Sequence, residues 1–172
     1  MLRVAVALMV TVSVGSTLSS CGIRGLNFVR DDRLSITAPE ARSEVRLPMT
    51  VRWTVRDFSI TGPTREATAD AGYFGVFVDR APPGPGKTLA SLADNDPACK
   101  ESAGCPDEAY LAGQNAYSTT DTTFELARLP ELTRDRTREA HEVTIVLLDG
   151  LGRRIGESAF RVEFQVRRKI RR

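Results

Sequence analysis

Histidine occurs once, as His141, in a chain of 172 residues, and tryptophan once, as Trp53. With one imidazole there can be no histidine cluster of the kind that holds copper or zinc. No Gly-x-Ser-x-Gly elbow occurs anywhere, so the nucleophile turn of an α/β-hydrolase is missing. His141 stands between Glu139 and Glu142 at the head of an apolar run, where a partly buried histidine bonding a neighbouring backbone group is expected. No basic stripe interleaved with aromatics is present, which argues against nucleic acid as a partner. Long apolar runs are absent too. The longest candidate, Val4 to Leu18, spans 15 residues and is interrupted by Thr11, Ser13, Gly15, Ser16 and Thr17. A membrane-spanning helix needs about 20 predominantly apolar residues.

The N-terminus is what a signal peptide requires: Arg3, then an apolar stretch, then small residues up to Cys21. Its ending, Leu18-Ser19-Ser20-Cys21, resembles the lipobox of bacterial lipoprotein signal peptides. The resemblance implies removal of residues 1–20, a diacylglycerol thioether on Cys21 and, in many species, a fatty acyl (palmitate-type) amide on its new amino group. The expected location is then the extracytoplasmic side of the cell membrane, with the membrane itself a partner through the lipid anchor. Two acyl chains suffice for stable anchoring where one does not. After cleavage only His141 and Met49 would remain as soft or imidazole ligands, which removes the copper reading.

If Cys21 takes the lipid, Cys99 and Cys105 are left as an even pair in an oxidising compartment, and a disulfide between them is expected. The segment around them, 94–108, is polar and rich in chain breakers, so the chain can bend back on itself. It also concentrates Asp94, Asn95, Asp96, Glu101, Asp107 and Glu108, oxygen ligands that a hard cation such as calcium favours. Asp94, Asp96, Glu101 and Asp107 are the calcium candidates, although the glycine and terminal glutamate of an EF-hand are missing. No other metal and no cofactor is expected.

Charge is unevenly placed. The net value of +2 hides a tail, Arg167, Arg168, Lys169, Arg171 and Arg172, that carries five positive charges, while residues 21–166 hold 18 basic and 22 acidic residues. This tail is a candidate contact for anionic lipid headgroups or wall polymers. In a seven-strand sandwich the two termini leave from opposite ends, so the tail would face the wall. Arginine outnumbers lysine 21 to 3, a matter of codon supply in a GC-rich genome.

Residues 21–33 read as a lipidated tether, and from Leu34 a period-two pattern takes over. Leu34 and Ile36 alternate with polar residues. Val45, Leu47, Met49, Val51, Trp53 and Val55 all fall on odd positions and predict one long strand with a solvated opposite face. Residues 59–72 read as a connecting loop, and Tyr73 to Asp79, apolar on both faces, as a central strand. Thr88 to Ala93 could turn once or twice as helix. Asn115 to Thr119 and Thr122 to Leu129 are shorter strands, with Phe124 and Leu126 pointing inward, and Leu132 to Arg138 is a polar turn or loop. Val143 to Leu148, turn residues Asp149-Gly150-Leu151-Gly152 and the alternating Phe160, Val162, Phe164 and Val166 predict a final hairpin.

Seven to eight short strands with little helix predict an all-β, two-sheet sandwich over 34–167, with one long disulfide-stapled loop and a basic tail at 168–172. Leu34 to Arg167 resembles the immunoglobulin-like or fibronectin-III-like domains of bacterial surface lipoproteins. Stretches such as Tyr73-Phe74-Gly75-Val76-Phe77-Val78-Asp79 and Arg153-Arg154-Ile155-Gly156-Glu157-Ser158 are similar to uncharacterised lipoproteins of high-GC Gram-positive bacteria. No cysteine pair would link the sheets, so Trp53 is expected to pack against aliphatics. Ala81-Pro82-Pro83-Gly84-Pro85-Gly86-Lys87-Thr88 imitates a nucleotide-binding P-loop, but Pro82, Pro83 and Pro85 have no N–H to offer a phosphate. Nucleotide is therefore not an expected ligand. The functional expectation is a non-catalytic binding or structural module on the membrane, with an unknown protein or cell-wall partner met on loops 80–117 or an open sheet face. The alternative is a cation- or ligand-binding accessory subunit of a transporter or envelope assembly complex.

Overall fold

A computed structural model describes residues 31–129 and 138–167. Among the described residues nine strands form two sheets: β1 (Leu34–Ala38), β2 (Glu44–Val45), β3 (Met49–Val55), β4 (Ser59–Ile60), β5 (Ala71–Val78), β6 (Ala116–Thr119), β7 (Thr123–Leu126), β8 (Arg138–Leu148) and β9 (Phe160–Arg167). Two short helices, α1 (Pro97–Glu101) and α2 (Glu108–Gly113), and a 3-10 turn at Leu89–Ala93 lie between β5 and β6. The smaller sheet has the order β1-β3-β7, all antiparallel. The larger runs β2-β9-β8-β5, and both β4 and β6 pair with the outer edge of β5. The first, third and seventh strands oppose the fifth, eighth and ninth, which is the arrangement of an immunoglobulin-like sandwich.

The main core lies between the sheets. Leu34, Val51, Trp53 and Leu126 of one sheet meet Phe74, Val76, Val143, Ile145, Leu147, Val162 and Phe164 of the other. Every second residue of β3, β8 and β9 supplies this layer, as the pleat requires. Trp53 does not pack only against aliphatics. Its ring meets Phe74 edge-on, with centroids 5.4 Å apart, the geometry that aromatic quadrupoles prefer.

A second cluster sits on the outer face of the larger sheet. Tyr73, Phe77, Val146 and Leu148 are covered there by Leu89, Leu92, Leu111 and Ala116. This explains why β5 and β8 are apolar on both faces: the segment 80–115 folds down over the sheet as a pad and does not project as a free loop.

The long strand expected from Val45 to Val55 is two strands in two sheets. β2 runs parallel to β9, with Glu44 opposite Gln165, whereas β3 pairs with β1 and β7. The chain crosses from one sheet to the other at Leu47 and Pro48, where proline offers no donor to a ladder. Both pieces line the same interior, so the odd-position pattern continues across the break. The loop expected over 59–72 includes β4, which pairs parallel with Ala71 and Gly72. The β8–β9 connection is longer than a tight hairpin: Asp149 Oδ1 accepts the N–H groups of Leu151 and Arg153, and the strand resumes only at Phe160. Most of the polar stretch Leu132 to Arg138 lies outside the described residues, and β8 already begins at Arg138.

Candidate functional site

The only histidine lies on the interior-facing side of β8, two residues before Val143, and opposite Phe164 of β9. Its side chain is 8% exposed. Asp79, the first residue after β5, holds a left-handed backbone conformation (φ 51°). That turn brings its carboxylate back over the sheet, where Oδ1 accepts the Glu142 N–H at 2.8 Å and Oδ2 lies 2.7 Å from His141 Nδ1. An ionised carboxylate can only accept, so Nδ1 carries the shared proton. On the far side of the ring, His141 Nε2 stands 3.7 Å from Glu139 Oε2, too long for a hydrogen bond. His141 thus bonds a carboxylate from another strand, not a neighbouring backbone group as its sequence context suggests. The nitrogen a reaction would use, Nε2, is buried and without a hydrogen-bond partner among the described residues.

The disulfide Cys99–Cys105 is present and closes a six-residue separation. Cys99 is buried on α1, and the staple closes a loop within the pad. A loop of this size restricts the unfolded chain by about 2 kcal/mol in the chain-entropy account.

Two of the four calcium candidates, Asp96 and Asp107, are committed to helix caps. Asp96 caps α1 by accepting the Ala98 and Cys99 N–H groups, and its other oxygen accepts the Tyr110 hydroxyl. These bonds hold its carboxyl below the ordinary aspartate range, the Cys99 amide contributing most. Asp107 caps α2 through the Tyr110 N–H. Among the described residues no group of three or more histidine, cysteine or acidic side chains converges on a metal position.

The proline-rich segment that imitates a P-loop is strapped to the β8–β9 connection. The Gly86 N–H bonds Arg154 O, the Arg154 N–H bonds Lys87 O, and the Arg154 guanidinium donates to Pro83 O and Glu157 O. Arg154 is 9% exposed and, among the described residues, has no carboxylate within ion-pair distance. Burial, followed by repulsion from Arg161, lowers its pKa. Sequence reasoning missed this residue, because an arginine beside Arg153 in a turn looks like one more solvated charge.

No family model, curated protein or solved structure matches the chain. A recess of about 1010 Å³ lies between β1 and β9 at the open side of the sandwich, lined by Leu34, Ser35, Ile36, Phe160, Arg161 and Val162 among others. The Asp31 N–H donates to Ser158 Oγ at one end of it (3.0 Å), and the Arg42 N–H donates to Glu163 O near the other. Gln165 also donates to Ser43 O on this edge. Alternation along β9 then points the Arg161 N–H and C=O into the recess, where no strand pairs with them among the described residues. Among the described residues β1 pairs with β3 alone, so its other edge faces the same space.

Of the tail, Arg167 lies within the described residues. Its guanidinium is 3.2 Å from Glu44, which also meets Arg138 at 3.1 Å, so this arginine is engaged within the domain. Arg168, Lys169, Arg171 and Arg172, like Cys21, lie outside the described residues. The two described ends leave from opposite ends of the sandwich: Asp31 is beside Ser158, which precedes β9, and Arg167 closes that strand.

Proposed function

We propose that this protein is an extracytoplasmic lipoprotein, tethered to the cell membrane through Cys21, whose sandwich is a non-catalytic binding module. The observation that carries this reading is the partition of the cysteines. Two of three are joined as Cys99–Cys105, a bond that persists in oxidising compartments. The third stands alone in Leu18-Ser19-Ser20-Cys21, the position that lipid attachment requires. The recess between β1 and β9 supports the binding half of the reading. Two strand edges face it with backbone donors and acceptors open to an extended peptide, a mode in which main-chain hydrogen bonds supply affinity.

Expression of the full chain and its Cys21→Ala variant in a lipoprotein-processing bacterium tests the anchor. Metabolic labelling with a fatty acid should mark the parent and leave the variant unlabelled and unprocessed; equal labelling would refute the reading. The binding half is tested by photo-crosslinkers at Ser35, at Arg161 and, as a control, at the exposed Arg52 of β3, which does not line the recess. Crosslinked partners from the first two positions and none from the third are expected. Equal capture at all three would remove the recess as the binding site.

A further inference from the structure

We infer that the end of the sandwich carrying Ile60 and Leu151 is a membrane-docking face, seated on the lipid surface to which the chain is tethered. This rests on the lipid anchor proposed for Cys21.

Strand registers identify that end. Leu34 lies opposite Val55, Tyr73 opposite Leu148, and Phe160 opposite Ile145. The starts of β1, β5 and β9 and the finishes of β3 and β8 therefore share one end of the domain. The connections 56–70 and 149–159 cover it, and the chain arrives there at Asp31. These connections form one continuous surface. The Thr64 N–H donates to Gly150 O at 2.7 Å, the Thr61 N–H donates to Gly72 O at 2.8 Å, and the Arg33 guanidinium reaches Ala69 O at 2.7 Å.

Among the described residues, the large apolar side chains left exposed are Ile60, at 41%, and Leu151, at 40%. A single exposed apolar residue needs no explanation. Here both fall on the two connections that touch one another, at the end where the tether enters. Only nine residues, 22–30, separate Cys21 from Asp31, a span of at most about 35 Å when fully extended. A short tether keeps this end at high effective concentration beside the bilayer, so a weak apolar contact becomes populated. Two aliphatic side chains seated at the headgroup boundary would be such a contact.

Charge does not lead the docking. Residues 56–70 and 149–159 together hold five acidic and four basic residues, and one of the latter is the buried Arg154. The occupant that fits is a lipid surface met through apolar contact, with no need for anionic headgroups.

The lipidated full chain, reconstituted into phosphatidylcholine vesicles containing a lipid-borne spin-label quencher, tests this. Leu151→Trp places an indole on the proposed face, and Ala127→Trp places one at the opposite end, just beyond β7. Trp53 is buried and contributes the same background to both. Mass spectrometry of the Cys21 peptide runs alongside. Quenching of the Leu151→Trp protein several-fold above that of Ala127→Trp is expected, and replacing a share of the phosphatidylcholine by phosphatidylglycerol should leave it unchanged. If the acyl chains are present and both indoles are quenched equally, the docking face is refuted while the anchor stands. Quenching that appears only with phosphatidylglycerol overturns apolar docking. A Cys21 peptide without acyl chains overturns anchor and docking together.

Discussion

Asp79 and His141 meet at 2.7 Å between the end of β5 and the middle of β8, and the same carboxylate also accepts the Glu142 N–H. One side chain thereby fixes an almost fully buried imidazole and the register of two neighbouring strands. Replacing Asp79 by alanine removes both acceptors and leaves the Nδ1–H without a partner in a buried place. The expected loss is about 2 kcal/mol, read as a lower urea midpoint with unchanged slope. Asp79→Asn should lose less, because asparagine tolerates the left-handed backbone and keeps one acceptor. Equal losses for the two variants would mean that the pair contributes little.

Gly72 tests how closely β5 approaches the β8–β9 connection. It adopts φ 152°, and a Cβ there would fall 1.9 Å from Leu148 O and 2.9 Å from the Asp149 Cα. Both obstacles are backbone, so the sheet itself would have to move. Gly72→Ala should destabilise by about 3 kcal/mol or more, or abolish soluble expression. Gly86, at φ 71° with nothing within 4 Å, is the control. Alanine there should cost only the left-handed penalty of about 1–2 kcal/mol. Thermal melts of both variants decide, and similar shifts would show that the contact at Gly72 relaxes readily.

Parts of this architecture are legible from residues alone. Tyr73, Phe74, Val76, Phe77 and Val78 announce a strand buried on both faces, because no solvated face could hold that many large apolar groups. The identity of the second covering layer is not legible. Leu89, Leu92 and Leu111 are scattered among polar residues, and only the fold shows them meeting over Phe77 and Val146. The break between β2 and β3 is hidden for the opposite reason. Val45 and Val51 face one interior from two sheets, so periodicity runs through the crossing undisturbed. His141 was visible as a lone titratable group, but its partner Asp79 is 62 residues away, and no local pattern links them.

Arg154 holds the proline strap through Pro83 O and Glu157 O. Arg154→Met would leave two carbonyls without that donor while relieving the cost of burying a guanidinium, so the effects oppose one another. Each abandoned carbonyl costs about 1–3 kcal/mol when buried, and a net loss near 2 kcal/mol is expected. The strap should loosen more than the sheet, so trypsin cleavage after Lys87 should accelerate before global stability falls far. Arg154→Lys should not restore protection, because a single ammonium cannot reproduce the fork. Full rescue by lysine would show that charge alone holds the strap.

Asp96 supplies the pH dependence of the pad. Its carboxylate accepts the Cys99 and Ala98 amides and the Tyr110 hydroxyl, and its pKa is lowered in the folded state. A depressed folded value means that the ionised form is favoured by folding. The contribution is therefore fully present above the unfolded aspartate value of about 3.9, and it is lost as pH falls through the lower folded value. On acidification the N-terminus of α1 should loosen while the inter-sheet core, which lacks this carboxylate, stays protected. The Ala98 and Cys99 amide resonances, followed by nuclear magnetic resonance, should titrate together below the ordinary aspartate range. Asp96→Asn should abolish that transition and leave the disulfide intact. If those amides instead titrate at or above the ordinary value, the cap does not hold the carboxylate as described.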